Sequence, residues 1–275
     1  MLSAGKFYSD LFGTGCEFYF EDIKGDLAHD VLDLSPFIGS IEKASSPSMA
    51  RRLISKLEQA LPVSRFTKSG IHTSKGVGYD STLISPGELK YVRGYFQSHL
   101  YASYVFGESR TTPELRNPPS SWFVEARQDI LSRDTAVLHL RLGDYKALSS
   151  SIGSLDAQYY EIALRELENS MDVSNLIVVS DEPALAKDIL RGKLPHGANF
   201  LRPPADSRPV ETLILISRAK GVIVANSSFS WWGTFFGEPK FVIAPKPWYR
   251  DIPEPLNLLP ESWIRRDSKW SIDGL

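Results

Sequence analysis

Three segments of the sequence combine residue types that could bind an anionic ligand, and the first surrounds Arg141. It reads His-Leu-Arg-Leu-Gly-Asp-Tyr over residues 139–145 and follows an apolar run. The guanidinium of an Arg in such a place offers a fixed fork of N–H donors that suits a phosphate or a carboxylate. His139 and Arg141 are two residues apart, so on an extended strand their side chains point to the same side. The pattern fits equally well with an Arg141 that pairs with Asp144 or with another acid at a sheet edge.

The second segment is Ser180-Asp181-Glu182, which follows the apolar residues 176–179. An acid directly after a buried strand could accept hydrogen bonds from the amide edge of a base or from a sugar hydroxyl. It could also cap the helix that Pro183 is expected to start. The sequence alone favours capping and leaves the ligand contact open.

The third segment, Asn-Ser-Ser-Phe-Ser-Trp-Trp-Gly over residues 226–233, combines a helix start with several hydroxyl groups. The free N–H groups and the positive end of the helix dipole point toward the preceding strand end there. Together with the serine hydroxyls they would form a phosphate-binding site without a glycine-rich loop. The structural alternative is a Ser-capped helix whose aromatic side chains fill the core.

These three segments must be positioned by secondary structure, and strands and helices alternate along the chain from residue 135 onward. We predict strands over 136–140, 176–179, 199–201, 222–225 and 241–244. Helices are predicted over 157–169, 183–190, 210–220 and 227–236, with Asp156 capping the first and Gly221 ending the third. This order is typical of an α/β protein with a parallel sheet covered on both faces. Ligands of such sheets lie outside the carboxyl ends of the strands, so we expect the three segments to share one edge.

The first part of the chain shows no such alternation. Its clearest element is a predicted helix over residues 47–61, where apolar side chains recur at helical spacing. Residues 107–121 are rich in Ser, Thr, Pro and Gly and indicate a connection, after which a helix over 122–131 enters the second half. We therefore predict two domains, residues 1–121 and residues 122–275. A Ser-rich loop over 149–154 is expected to be solvated or to become ordered on ligand binding.

Composition excludes several classes of protein. The 275 residues carry 31 Lys plus Arg and 33 Asp plus Glu, which argues against nucleic-acid binding through bulk positive charge. The single cysteine, Cys16, excludes an intrachain disulfide and the cysteine-rich zinc sites. The first twenty residues do not resemble a signal peptide, and no uncharged apolar run reaches the roughly 18–20 residues that span a bilayer. We expect a soluble, cytoplasmic protein, and peripheral contact with a membrane stays open.

Several catalytic and cofactor-binding motifs are missing from the sequence. Neither G-x-x-x-x-G-K nor G-x-G-x-x-G occurs, and G-x-S-x-G is absent around Ser228. No His residues have H-E-x-x-H spacing, and there is no D-x-D triplet of the kind that holds a metal on a nucleotide diphosphate. If a diphosphate binds, Arg141 and the helix start near Ser227 must balance its charge without a metal ion.

These segments resemble the motifs of the α-1,2-fucosyltransferases, glycosyltransferase family 11. Residues 139–145 are similar to the family's H-x-R-R-G-D-Y motif, and residues 178–182 to its apolar strand ending in S-D-D. Residues 226–233 resemble the third motif of the family. Further similar segments, which extend the resemblance to about residues 79–266, lie at 94–98, 242–249 and 259–263.

The resemblance implies a GT-B fold with two Rossmann-like lobes. Residues 1–121 would form the acceptor-side lobe and residues 122–275 the lobe that binds the nucleotide sugar. It further implies transfer of L-fucose from GDP-β-L-fucose to a galactose-containing oligosaccharide or polysaccharide precursor. The anomeric carbon would be inverted, and neither a metal nor a cofactor would be required.

Site residues are carried over by position. Arg141 would hold the diphosphate and stabilise the leaving GDP, because negative charge develops there in the transition state. His139 would help to shape the nucleotide pocket. Asp144 is the nearest carboxylate in the first motif and is either the general base or a partner of Arg141 or of the following turn. Asp181 or Glu182, the acids after Ser180, would bind guanine. The wall of the pocket beside the phosphates would comprise Asn226, Ser227, Ser228 and Phe229.

The sequence departs from the family pattern at two places. Leu142 stands where the family has a second Arg, and strand alternation places it opposite Arg141, so we expect little effect. The family's opening strand and its G-G-L-G-N-Q loop have no counterpart in the first fifteen residues. The N-terminal lobe is therefore expected either to lack its first strand or to have rebuilt it. Loss of that segment could leave GDP binding intact and remove transfer.

Three functions fit these observations to different degrees. The first is an inverting α-1,2-fucosyltransferase, and the second is a degenerate GDP-sugar-binding protein without transferase activity. The third is a non-enzymatic carbohydrate-binding module, suggested by 6 Trp and 11 Tyr. It ranks last, because an aromatic sugar platform requires neither Arg141 nor a Ser-rich helix start.

Overall fold

The computed structural model describes residues 71–74, 77–80, 91–107, 113–143 and 149–271, and toward the start residues 4, 7, 8, 10, 11, 17, 18, 42 and 43. The chain divides into two compact units. The first comprises Met1–Ala28, Phe37–Ser109 and Pro255–Pro260, and the second comprises His29–Pro36, Arg110–Glu254 and Glu261–Leu275. The domain boundary predicted after residue 121 stays a prediction. The predicted helix over 47–61 and Cys16 lie outside the described residues.

The first unit contains two pairs of parallel strands and one described helix. Strand β1 (Glu17–Phe18) pairs with β2 (Glu42–Lys43), and β3 (Ile71–Thr73) pairs with β4 (Tyr91–Arg93). The helix, α1, runs over His99–Phe106 and is capped by the hydroxyl of Ser98. Buried aromatic rings form the core, in which the hydroxyls of Tyr8 and Tyr101 lie 2.6 Å apart. Burial is the main cause that raises the pKa of both hydroxyls.

The second unit is built on one sheet of six parallel strands. In chain order the strands are β5 (Thr135–Leu140), β6 (Asn175–Ser180), β7 (Asn199–Phe200), β8 (Gly221–Ile223), β9 (Phe241–Lys246) and β10 (Ile264–Asp267). Their spatial order is β10-β9-β8-β5-β6-β7. The chain runs outward from β5 through β6 and β7, then returns to pair β8 with the other side of β5. The carboxyl ends of β5 and β8 therefore meet at a topological switch point, where ligands of open parallel sheets bind.

Helices connect the strands, and their bounds follow the sequence prediction closely. They are α2 (Ser121–Leu131), α3 (Ala157–Ser170), α4 (Pro183–Ile189), α5 (Pro209–Ser217) and α6 (Ser228–Gly237). Asp156 caps α3 as predicted, since its Oδ1 accepts hydrogen bonds from the backbone of Gln158 and Tyr159. None of the helices in the described ranges is both long and apolar enough to cross a bilayer.

The two faces of the sheet are covered by different helices. Leu138, Leu140 and Leu142 belong to one core cluster that also holds buried side chains of α3 and α4. Strand alternation turns His139 to the opposite face. Its ring centroid lies there 5.8 Å from that of Phe229, in the first turn of α6. Leu142 thus faces the core, as the alternation predicts.

The prediction for the end of α5 was wrong in its detail. The helix ends at Ser217, and Gly221 opens strand β8 instead of capping the helix. Short-range hydrogen bonds from the N–H groups of Arg218 and Ala219 close the last turn. A Cβ at Gly221 would lie 2.6 Å from the sulfur of Met171, so a larger residue there would have to displace the Met171 side chain.

Glu211 on α5 is fully buried and ties this helix to the start of α2. Its carboxylate accepts hydrogen bonds from the N–H (2.8 Å) and hydroxyl (3.0 Å) of Ser120, which caps α2, and from Arg208 (3.1 Å). Burial raises the pKa of Glu211, but these hydrogen bonds and the charge of Arg208 outweigh it and hold the pKa below its usual value. The carboxyl is therefore ionised and fully partnered inside the fold.

Candidate active site at the sheet switch point

Arg141 lies directly after strand β5, at the switch point of the sheet. Its side chain is about three-quarters buried, and its Nε lies 3.4 Å from Oδ2 of Asp181, the first residue after β6. Because β5 and β6 are neighbours in the sheet, their carboxyl ends bring these two residues together. The sequence left the partner of Arg141 open between Asp144 and another acid. Among the described residues the structure pairs it with Asp181, and a contact with Asp144 stays a prediction.

Asp181 also binds the backbone of the turn that carries Arg141. Its Oδ1 accepts a hydrogen bond from the N–H of Leu142 (2.9 Å) and its Oδ2 one from the N–H of Gly143 (3.0 Å). The interpretation that an acid here caps α4 through its side chain was wrong. The N-cap position is held by Glu182, which makes no side-chain cap bond, and Ser180 Oγ accepts the N–H of Glu182 instead.

The start of α6 follows strand β8 on the other side of β5. Ser227 is the N-cap residue, and its hydroxyl accepts a hydrogen bond from the N–H of Phe229 (3.3 Å). Ser230 is buried and its hydroxyl donates to backbone carbonyls below the helix. Ser228 is exposed at the first helical position, where its hydroxyl is open to solvent. A helix start with an exposed serine, one strand away from Arg141, suits an anionic ligand.

Asn226 is buried and supports a neighbouring loop. Its Nδ2 donates hydrogen bonds to the carbonyls of Ile152 (3.2 Å) and Gly153 (2.9 Å). The same loop accepts the N–H of Arg250 at Ile152, and a Cβ at Gly153 would lie 2.6 Å from the ring of Trp270. The prediction of a merely solvated loop over 149–154 was therefore wrong, because Gly153 and Ser154 are packed.

Tyr159 is a buried residue that contacts the end of strand β8, and the sequence analysis did not single it out. Its side chain is fully buried on α3, and its hydroxyl donates to the carbonyl of Val224 (2.8 Å), just after β8. Burial raises the pKa of this hydroxyl well above its usual value, so it stays a donor. The only signal in the sequence is a tyrosine among the apolar positions of a predicted helix.

Asp144 lies outside the described residues, so its proposed role stays a prediction. Within the described ranges, no three His, Cys, Asp or Glu side chains gather into a group that could hold a metal ion. Among the described residues, the arrangement comprises the guanidinium after β5, the two acids after β6 and the helix start after β8. Such a set can bind a phosphate group and can offer a carboxylate to a nearby donor.

The second unit is thus an α/β structure whose polar side chains gather at the switch point of a parallel sheet. The sequence matches the model of glycosyl transferase family 11 over residues 16–255, and the chain belongs to this family. The resemblance drawn from the three motifs and the predicted α/β class are both confirmed. The arrangement of two GT-B lobes stays a prediction.

Two curated relatives and one solved structure show the range of similarity. The O-antigen biosynthesis glycosyltransferase WbnK of Escherichia coli is 31% identical over 136 residues, which cover 48% of this chain and 44% of the relative. An α-1,2-colitosyltransferase of Escherichia coli is 29% identical over 134 residues, covering 46% of each chain. The chain therefore spans less than half the length of these relatives.

The structure of the E. coli ADP-heptose LPS heptosyltransferase II is similar with a TM-score of 0.38 and 12% identity. The match covers 56% of this chain and 45% of that one.

Proposed function

We propose that this protein is an inverting α-1,2-fucosyltransferase that moves L-fucose from GDP-β-L-fucose to a galactose-containing glycan. The observation that supports it best is the meeting of Arg141 and the start of α6 at one switch point, since β5 pairs with β8. Such a site offers positive charge and backbone N–H groups to a diphosphate. GDP-β-L-fucose, the proposed sugar donor, carries such a diphosphate. Membership of glycosyl transferase family 11 supports the same assignment.

The reaction needs charge stabilisation at the leaving group above all. The acceptor hydroxyl attacks the anomeric carbon from the face opposite GDP, the bond from that carbon to the β-phosphate oxygen breaks, and the hydroxyl loses its proton. Negative charge develops on the β-phosphate, where Arg141 and the N–H groups of α6 would stabilise it. His139, packed against Phe229, would shape the wall of the pocket. Ser227 would hold the start of α6 in place, and Asn226 would hold the neighbouring loop at Gly153.

The remaining parts of the proposal come from the family resemblance. Asp144 would accept the proton of the attacking hydroxyl. Transfer would require neither a metal ion nor a cofactor, because Arg141 and the helix start balance the diphosphate. The relatives bear the names of an O-antigen biosynthesis enzyme and of a colitosyltransferase. We therefore propose a membrane-associated glycan precursor as the acceptor. The protein itself would be cytoplasmic and in peripheral contact with the membrane.

A nucleotide-dependent melting shift tests the donor assignment. At a hundred times its Kd, GDP should stabilise the protein by about 2.7 kcal/mol, a shift of roughly 5–10 °C. UDP and ADP at the same concentration should shift the melting temperature less, and EDTA should not change the effect of GDP. Equal shifts with all three nucleotides, or a shift that EDTA abolishes, would contradict a metal-free guanine-nucleotide site.

Replacing Ser228 by alanine should weaken GDP binding only modestly. One neutral hydrogen bond contributes little, so we expect about a 2–10-fold rise in the Kd for GDP, measured by titration calorimetry. The backbone donors of α6 remain in this variant, which is why the loss is small. Ser170→Ala, an exposed serine at the end of α3, is the matched control and should leave the Kd unchanged. A loss above about a hundredfold for Ser228→Ala would show that the hydroxyl, not the helix start, carries the binding.

A further inference from the structure

A cavity of about 500 Å³ lies at the outer edge of the second unit's sheet, beside strand β7. Its lining comes from the second half of α4, from the connection that follows and from β7 itself. In the spatial order of the strands, β7 is the outermost strand on its side and lies two strands away from β5. The cavity is therefore distinct from the candidate active site at the carboxyl ends of β5 and β8.

The floor of the cavity is apolar and continuous with the core. Leu190 is fully buried, and three half-buried side chains pack beside it. These are Leu194, Ala198 and Phe200. The ammonium of Lys187 lies 5.3 Å from the centroid of the Phe200 ring, which places a cation over the aromatic part of the floor.

The rim of the cavity carries positive charge. Its cations, all of them exposed, are Lys187, Arg191 and Arg202. Residues 183–202 contain four Lys or Arg and a single acid, Asp188, which pairs with Arg191 at 2.5 Å. The whole chain has a net charge of -2, so this local excess of cations stands out against a slightly acidic protein.

We propose that this cavity binds the headgroup of an anionic phospholipid and holds the β7 edge against a membrane surface. The inference gives the membrane contact of the proposed function a location and rests on that function only for its purpose. The cations of the rim match the negative charge of an anionic bilayer. The stems of Lys and Arg can lie along apolar surface while their charged ends stay in the polar layer.

The apolar floor distinguishes a lipid from a free phosphate ion. A free phosphate would contact only the rim, because the side chains of the floor offer it no hydrogen-bond donor. The glycerol and first methylene groups of a phospholipid would cover the floor and remove its apolar surface from water. The combination of a cationic rim and an apolar floor therefore favours the lipid.

Sedimentation of the full chain with vesicles tests the proposal. Wild-type protein should bind vesicles of phosphatidylcholine that contain about 30% phosphatidylglycerol, and bind phosphatidylcholine alone far more weakly. Lys187→Gln combined with Arg202→Gln should weaken binding to the anionic vesicles about 10–30-fold, since each cation near such a surface contributes about fivefold. Binding of the wild type should also fall as the salt concentration rises.

A second double variant removes the same two kinds of charge elsewhere on the second unit. Arg133 and Lys240 are exposed and precede strands β5 and β9, at the amino ends of those strands. Arg133→Gln combined with Lys240→Gln should leave vesicle binding within about twofold of wild type, because these charges lie away from the proposed contact.

Asp188→Asn should strengthen binding. The change removes the exposed acid of the rim and frees the charge of Arg191. We expect binding to the anionic vesicles to become about 2–5-fold tighter. A gain of this kind cannot result from loss of folding, which keeps the test independent of the stability of the other variants.

Several results would overturn the proposal. They are a wild type that binds no vesicles or binds both kinds alike, and equal weakening in the two double variants. Glycerol phosphate that displaces the protein more than sodium chloride of the same ionic strength would indicate a site for soluble phosphates instead. A dimer that dissociates in the Lys187→Gln and Arg202→Gln variant would assign the cavity to a second copy of the chain.

Transfer to soluble lactose separates this inference from the proposed function. The Lys187→Gln and Arg202→Gln variant should transfer fucose to lactose at the wild-type rate, because lactose requires no membrane. A wild type that binds anionic vesicles but transfers no fucose would overturn the proposed function and leave the lipid site standing.

Discussion

Replacing Arg141 by alanine is expected to lower kcat/KM for GDP-fucose about 10²–10³-fold while the fold is kept. Its guanidinium lies at the switch point and would face the oxygen on which charge develops as GDP leaves. Its side chain also retains partial exposure, so truncation removes little of the apolar core. Steady-state kinetics with GDP-fucose and titration of GDP measure the loss of catalysis and of binding separately.

The control for this prediction is another arginine whose contacts lie elsewhere. Arg165 on α3 is largely exposed and pairs with Glu161 on the same helix. Arg165→Ala should keep wild-type kinetics, since exposed pairs of this kind contribute little. A near wild-type transfer rate in Arg141→Ala would refute the role given to that residue.

Replacing Glu211 by alanine is expected to lower the free energy of unfolding more than a typical substitution of one charged residue does. The change leaves the N–H and hydroxyl of Ser120 and one side of Arg208 without their buried acceptor. Removing one partner of a buried pair costs about 3–5 kcal/mol, and the partial exposure of Arg208 moves the expectation to about 3 kcal/mol. The melting temperature should fall by roughly 6–12 °C.

The same carboxylate gives a dependence on pH with a definite sign. Because the folded pKa of Glu211 is held below its usual value, its contribution is fully present above the unfolded pKa of about 4.3. It is lost as the pH falls through the lowered folded pKa. Urea unfolding should therefore show a difference between wild type and Glu211→Gln that is largest at neutral pH and shrinks on acidification.

A matched acid on a neighbouring helix serves as the control for Glu211. Glu168 on α3 is exposed, and Glu168→Ala should change the free energy of unfolding by less than about 0.5 kcal/mol. A Glu211→Ala variant as stable as Glu168→Ala would contradict the importance of the link between α5 and α2.

Local patterns predicted the elements of the second unit well, because its strands are short apolar runs and its helices have clear starts. The run at 136–140 became β5, and Asp156 caps α3 as its position suggests. Gly221 was misassigned because a glycine after a helix fits both a cap and a close contact. Only the packed structure shows that a Cβ there would press on the side chain of Met171.

The contacts within the site could not be predicted, since they depend on strand order. Asp181 meets the turn at 141–143 because β6 lies beside β5, and a sequence pattern does not give that order. The contacts of the Asn226 amide with the loop at 152–153 were equally out of reach of a sequence pattern, and its place at the phosphate wall stays a prediction. Glu211 escaped notice because its partner Ser120 lies far away in sequence.

Transfer itself is the most direct test of the proposed function. Purified protein would be incubated with GDP-β-L-fucose and lactose in the presence of EDTA, and the products followed by proton NMR. We expect many molecules of GDP to be released per molecule of protein. The product should carry a new fucosyl residue with the α configuration at the 2-position of galactose. GDP binding without turnover, with lactose and with galactose-containing glycan precursors alike, would contradict the transferase and indicate a degenerate nucleotide-binding protein. A β-linked product would contradict inversion, and a requirement for a divalent metal would contradict the charge balance proposed for Arg141 and α6.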